Sequence, residues 1–358
     1  EKMKYFETGI TSQSDISMSA KDFYLSFQDA TISGTLAGDK NRRTTFSFKS
    51  AKEFGKFNAD FTITYTKSQY DVASNGAYYE VFNTAQNIPL TSYKNWRTDE
   101  WSTPNDYFND YASNPYYILD RARSTGTTHD LIGTSTLNYK ILPWLTATYR
   151  LGTTVGSSYS RSTSEAFTYS PFAKTSGKYN SVNDVFASVS DGQSIGTRIT
   201  SEAFLAGQKD FGKISVDGLI GQSYRETFSK SVSVSGSNLI IPTLFNISNR
   251  TGEPGASASF SETKLMGVFG KASVGYDNWA FLEVTGRNDW DSRLPITGRS
   301  FFYPGASASV VLSDAIKAIK NSDVISYLKL RGSVSKSGNV NLGAYQLEPT
   351  YGVAGGFP

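Results

Sequence analysis

The segment 56–69, KFNADFTITYTKSQ, constrains the fold more than any other stretch of the 358-residue chain. Phe57, Ala59, Phe61, Ile63 and Tyr65 alternate with Asn58, Asp60, Thr62, Thr64 and Thr66. Side chains in an extended strand point to opposite faces with period two, so this pattern specifies a strand with one apolar and one polar face. A soluble sandwich buries such an apolar face against a second sheet. A membrane barrel turns it outward to lipid. Alternation alone leaves both open.

Composition narrows the choice. Only 38% of residues are hydrophobic and mean hydropathy is −0.35, yet 14% are aromatic, with 22 Tyr and 23 Phe. Tyr, Phe and Thr favour pleated, half-buried surfaces. No apolar run approaches the roughly 20 residues of a spanning helix, which says nothing against a membrane barrel, whose signal per strand is weak. The chain has no cysteine, so there is no disulfide framework and no thiol chemistry. The net charge of +3 is spread along the chain, without a basic run or motif for nucleic acid.

Alternation and turn signals predict about twelve strands, near 8–19, 22–33, 42–52, 57–69, 128–140, 144–156, 195–208, 213–225, 262–276, 279–290, 301–312 and 326–337. Leu145, Ala147, Tyr149 and Leu151 repeat the pattern, as do Met266, Val268, Gly270, Ala272 and Val274, and Leu328, Leu330, Gly332 and Val334. Tight turns at EFGK (53–56), ILPW (141–144), KDFGK (209–213) and YDNW (276–279) alternate with long segments, 71–127, 157–194 and 227–260. An up-and-down meander with short turns at one end and elaborated loops at the other has this form, and outer-membrane barrels show that asymmetry. SDAIKAIKNSD (313–323) reads as a helical turn or two, with Ser313 or Asp314 as N-cap. Trp144 and Trp279 follow tight turns, where an interfacial aromatic girdle would place them.

A series of motifs then points to a family. FETGITSQSDISMSA and FYLSFQDATISGTLAGDKNRRTTFSFKSAKEFGKF come first, with Arg42 and Arg43 after the glycine-containing loop. NPYYILDRARS, DLIGTSTLNYKILPWLTATYRLG, RITSEAFLAGQKDFGKISVDGLIGQSYRET and LIIPTLFNISN follow. VTGRNDWDSRLP, SFFYPGASASVVLSD and YLKLRGSVSKSGNVNLGAYQL complete the order. The chain resembles the barrel region of SusC-like (RagA-like) TonB-dependent transporters of the Bacteroidota outer membrane. The resemblance implies an all-β fold: a partial antiparallel up-and-down transmembrane β-barrel with long extracellular loops and short periplasmic turns. It implies about twelve strands of a barrel of about 22.

By the same resemblance the function is active import of oligosaccharides or peptides, with no cofactor and no enzymatic activity. The implied partners are a SusD-like surface lipoprotein, the TonB–ExbB–ExbD complex and outer-membrane lipid. The plug, the carboxypeptidase-D-like domain, the TonB-contacting segment and the last strands of the family are expected to lie outside these residues. An assembly intermediate would add the barrel-assembly machinery or other envelope proteins as partners.

Candidate site residues fall into three groups. In segment 71–127, Tyr93, Trp96, Trp101, Tyr107, Tyr111, Tyr116 and Tyr117 stand among Asn, Asp and Ser. Aromatic faces stack on sugars or peptide side chains while amides and carboxylates bond their polar groups, so these are candidates for contact with substrate or lid. The competing reading is that they pack the loop against itself. Asn58, Asp60, Arg150, Lys329 and Arg331 are candidates for the lumen. Phe57, Phe61, Ile63, Tyr65, Trp144 and Trp279 are candidates for the lipid face or girdle. His129, the one histidine, has no nucleophile motif near it. Asp289 and Asp291 could serve as a carboxylate pair for glycoside hydrolysis or be compensated by Arg287 and Arg293 beside them, and the resemblance implies the second. No metal-ligand spacing is present. A soluble or surface-anchored β-rich adhesin or binding protein, and more remotely an outer-membrane barrel enzyme, are the alternatives.

Overall fold

The computed structural model describes residues 2–109, 112–175, 183–320 and 324–349. Twelve strands form one sheet in strictly sequential order. They are β1 (Thr11–Ala20), β2 (Phe23–Ser33), β3 (Lys40–Phe54), β4 (Phe57–Ala73), β5 (Ala122–Leu142) and β6 (Leu145–Ser164). Then come β7 (Ser188–Phe211), β8 (Ile214–Ser237), β9 (Gly255–Tyr276), β10 (Ala280–Asp291), β11 (Ser300–Val311) and β12 (Lys329–Ser335). Every neighbouring pair is antiparallel. The sheet is unclosed among the described residues, with β1 and β12 at its edges. It is a single sheet rather than the two packed sheets of a sandwich.

Each predicted strand is present, and the tight turns set the register. Phe54 pairs with Phe57 around Gly55-Lys56, and Phe211 with Ile214 around Gly212-Lys213. Gly55 and Gly212 both take positive φ, which two-residue hairpins demand and glycine adopts without strain. In the YDNW turn Asp277 and Asn278 occupy the left-handed region instead.

The strands run further toward the loop end than the alternation predicts. β5 starts at Ala122 rather than near 128, β8 ends at Ser237 rather than 225, and β9 starts at Gly255 rather than 262. The β5 extension, ARSTGTT, has no apolar period, while in β8 and β9 mostly small residues such as Val232, Val234, Ala256 and Ala258 alternate with Ser, a weaker signal than the large apolar residues nearer the turns. The long connections shrink accordingly to 74–121, 165–187 and 238–254. The 313–323 prediction is also corrected. Helical turns occupy Leu312–Ala315 and Lys317–Lys320, and the N-cap is Val311, with Ser313 and Asp314 inside the first turn. Residues 321–323 of that prediction lie outside the described residues.

The two faces of the sheet differ sharply. One carries Ile16, Phe27, Phe46, Tyr65, Leu131 and Val155 along a single cross-strand row. Its large apolar residues are exposed: Phe61 and Ile63 are each 44% accessible. In the later strands the apolar residues lie nearer the tight turns, as in the row Val216–Val274–Leu282. The row that holds Ile63 ends instead on Glu226 and Lys264. The apolar band therefore slants across the hydrogen-bonded rows, as the stagger of tilted barrel strands requires. Packed core sits elsewhere, in a cap at the loop end.

Candidate functional site

The cap is built from segment 74–121, the N-terminal turn Lys2–Tyr5 and the 34–39 loop. Asn114 and Pro115 start a short helix, Pro115–Arg121, with Pro at its first turn and Asn as N-cap. The Asn114 side chain is fully buried and fully used. Its Oδ1 accepts from the Tyr116 amide, and its Nδ2 donates to the carbonyls of Tyr93 (2.8 Å) and Ser102 (2.7 Å). One side chain thus fixes a helix start and two passing loop strands. The NP dipeptide is a cap signal in the sequence; the two long-range acceptors have no local signal.

The helix then delivers Tyr116 and Tyr117 into a cluster with Tyr5, Leu36, Ala77, Val81, Leu90, Trp96 and Leu119. Trp96 meets Tyr117 edge-on at 5.0 Å, and its indole N–H donates to Asp120 at 2.9 Å. Arg97 lies over the Trp96 ring and pairs with Glu165 at 2.7 Å, which ties in the next loop. Phe167 packs on Tyr117, and Tyr169 on Phe167. Arg123, at the start of β5, clamps the cap to the sheet by bonding Asp71, Asp39 and the Gly38 carbonyl.

Of the two readings of the loop aromatics, packing of the loop against itself describes four of them. Trp96, Tyr107, Tyr116 and Tyr117 are buried inside the cap, because burying rings is what gives a connection of this length a core. Burial pushes the Tyr107 hydroxyl up to about 12 and those of Tyr117 and Tyr5 higher, so all three stay neutral. Tyr93 is half-buried against Tyr107 and Phe108. Trp101 is exposed, as are Tyr79 of the same segment and Phe82, an aromatic the sequence gave no reason to single out. Tyr111 lies outside the described residues.

On the sheet, registers link every polar-face candidate. Asn58 pairs with Asn138, which pairs with Thr148, next on that face to Arg150. Lys329 and Arg331 continue the face at the far edge through Val311 and Ser309. Asp60 shares it, level with Thr136. Opposite charges compensate along it: Arg150 reaches Glu202 at 3.7 Å, and Lys271 bridges Asp217 and Glu283 at 3.2 Å each. Asp289 is held by Arg287 and Asp291 by Arg293, so the carboxylate pair is committed to its arginines.

Phe57, Phe61, Ile63 and Tyr65 lie on the opposite face. At the tight-turn rim of that face, a Cβ on Gly207 would meet Trp144 at 3.4 Å, and Trp279 packs edge-on against Tyr276. Phe54, Tyr139 and Phe211 join them at that end of the strands, all exposed. His129 lies inside β5, not at its boundary as predicted. Its Nδ1 is 2.6 Å from the Tyr65 hydroxyl, on the apolar-side parity and away from the polar face. Among the described residues no group of acidic, His or Cys side chains has metal-site geometry.

Comparison with known proteins agrees with this architecture. No family model matches the chain. TonB-dependent receptor P3 of Formosa agariphila is 25% identical over 155 residues, 42% of this chain and 15% of that receptor. The RagAB peptide importer in its open-open state matches with a TM-score of 0.77 at 15% identity, over 100% of this chain and 40% of that chain. The RagAB peptide transporter matches with a TM-score of 0.72, also at 15% identity, over 96% of this chain and 38% of that chain. The chain thus spans about 40% of the length of these structural relatives. Its fold is that of part of the RagAB structures, an all-β up-and-down sheet left unclosed among the described residues. The proteins it resembles are a receptor and peptide transporters by name.

Proposed function

We propose that this chain is part of the barrel wall of a SusC-like, TonB-dependent outer-membrane importer. In this reading the apolar band faces lipid, the polar face lines the lumen and the cap stands outside the cell. The observation that carries it is the slanted apolar band on an up-and-down sheet whose two- and three-residue turns all lie at one end. Trp144 and Trp279 belong to the periplasmic girdle, and Asn58, Asp60, Arg150, Lys329 and Arg331 to the lumen wall.

The unpaired edges of β1 and β12 need partner strands, since open sheet edges do not persist in hydrocarbon. Those strands, the plug and the TonB-contacting segment belong to the rest of the protein. The cargo is an oligosaccharide or a peptide, received under a SusD-like surface lipoprotein that meets the cap through exposed aromatics such as Trp101. The RagAB match supports this pairing by its fold, and the cap's packed core supplies a rigid platform for it.

The test uses the full-length protein in its own outer membrane. Uptake of fluorescent oligosaccharides and peptides is compared in cells with and without the gene, before and after the proton gradient is collapsed. Gene-dependent uptake of one class, abolished by the uncoupler, is expected, along with a lipoprotein that co-purifies with the barrel. Uptake indifferent to the uncoupler overturns the energy-coupled reading.

A further inference from the structure

At one place on the polar face several basic side chains gather that carboxylates offset only in part. A cavity of about 270 Å³ opens between β7, β8, β9 and β10, lined by Arg198, Arg225, Thr227, Thr263, Asp291 and Arg293. Asp291 hydrogen-bonds Arg293, and its charge also acts on Arg225. Its Oδ1 accepts from the Arg293 backbone N–H and Nε at 2.9 Å, and its Oδ2 from Nη2 at 2.5 Å. The remaining Arg293 nitrogen donates to the carbonyls of Val340 and Leu342. Lys264 also borders the cavity, but its ammonium is held by Glu262 at 2.6 Å. The nearby carboxylates of Glu202 and Asp289 belong to Arg150 and Arg287.

Arg198 and Arg225 make no hydrogen bond or ion pair with the described residues, and both are exposed on this face. Arg198 pairs with Thr227 and Arg225 with Thr200, so the two arginines are diagonal neighbours on adjacent strands. Diagonal positions stand about 7–8 Å apart, within reach of one shared ligand for two such long side chains. Two guanidiniums side by side repel each other, and the carboxylate that lines their cavity, Asp291, is shared with Arg293, while each guanidinium presents a planar fork of donors that fits an oxyanion.

Above the pair the same face becomes a hydroxyl wall. One cross-strand row reads Thr128, Ser158, Ser194, Ser231 and Ser259, and the next toward the loops Gly126, Ser160, Gly192, Ser233 and Ser257. These side chains are too short and carry no charge to satisfy an arginine below them, so the pair has no ligand on the wall itself.

From the geometry we infer that Arg198 and Arg225 form an oxyanion-binding site on the lumen wall. Its ligand is a carboxylate, sulfate ester or phosphate ester carried by the transported solute. The inference rests on the lumen assignment above, and it sharpens the cargo to one bearing an anionic group. The hydroxyls of Thr227 and Thr263 supply further donors beside the guanidiniums.

Equilibrium dialysis of radiolabelled sulfate against the full-length protein in detergent, at fixed ionic strength in chloride, tests it. One saturable site per chain is expected. Because charge-assisted forks dominate such binding, affinity should fall about tenfold or more in Arg225→Gln and in Arg198→Gln. Arg225→Lys, which keeps the charge without the fork, should lose less. Arg161→Gln, whose guanidinium is already paired with Asp191 on the other face, should bind as the parent does. Absence of saturable sulfate binding overturns the inference, including the case where an acidic side chain elsewhere in the full-length chain already fills the pair. Binding unchanged in both glutamine variants overturns it as well. Loss of energy-coupled uptake with sulfate binding intact strikes the transport reading and leaves the anion site standing.

Discussion

Phe61 in the wall and Trp96 in the cap are both large aromatics, yet the first is 44% accessible and the second 6%. The contrast extends across both regions. In the wall, Ile16, Phe27, Phe46 and Ile63 stand on one face with nothing in the described residues over them. In the cap, Tyr5, Tyr116, Tyr117 and Leu90 are enclosed by one another. The cap supplies its own apolar environment. The wall has to be given one, and a bilayer is the environment that fits its long, slanted band. Stability in the two regions therefore has different sources, and substitutions should separate them.

The largest effect is expected in the cap. Tyr117→Ala removes a ring that touches Trp96 and Phe167 and leaves a cavity the helix cannot close. Large-to-small changes of this kind cost about 3–5 kcal/mol. Hydrogen exchange on the full-length protein should show the amides of 74–121 losing protection while β5–β9 keep theirs. Equal loss in the strands would show that cap and wall unfold together and would remove the distinction.

In the wall the expected effect is smaller and depends on face. Ile63→Arg should cost about 2–4 kcal/mol in phospholipid vesicles if Ile63 sits near the bilayer midplane. Thr62→Arg, one residue away on the polar face, should stay within about 0.5 kcal/mol. Denaturant titration of the two full-length variants reads the difference. Equal costs, or the reverse order, would undo the assignment of faces.

What the sequence made legible follows the same division. The wall was readable because lipid-type burial imposes period two, residue after residue, from Phe57 to Tyr65. Where that demand ends, near Lys67 and Thr128, the strands continue on backbone pairing alone and the pattern falls silent. Hence the strands were found and their loop ends were not. The cap was readable only in part. Its aromatic content was evident, but whether a ring such as Trp101 or Tyr117 points out or in depends on contacts between residues up to 110 positions apart, such as the Tyr5 hydroxyl on the Pro115 carbonyl. The Arg198–Arg225 pair was hidden for the same reason, since only the β7–β8 register makes them neighbours.

The smallest expected effect concerns how the cap answers pH. Glu80, on the helix Gly76–Asn83, accepts the Ser113 N–H at 2.9 Å. Burial nonetheless raises its carboxyl above the ordinary 4.5, outweighing the hydrogen bond that lowers it. A raised folded-state pKa means that the folded cap binds the proton more tightly than the unfolded one. Its contribution is full below about pH 4.5 and is lost as pH rises through the folded value. Asp184 acts in the opposite sense, since Lys174 and the Tyr169 amide hold it below the carboxylate range, but it belongs to the 165–187 connection. Glu80→Gln keeps an acceptor for Ser113 and removes the titration. Hydrogen exchange in 74–121, corrected for intrinsic rates, should therefore show protection falling a few-fold between pH 4.5 and 7.5 in the parent and staying level in the variant. A parallel decline in both would place the pH response elsewhere in the cap. A variant less protected than the parent at pH 7.5 would show that the charged carboxylate, not its burial, is what the Ser113 amide requires.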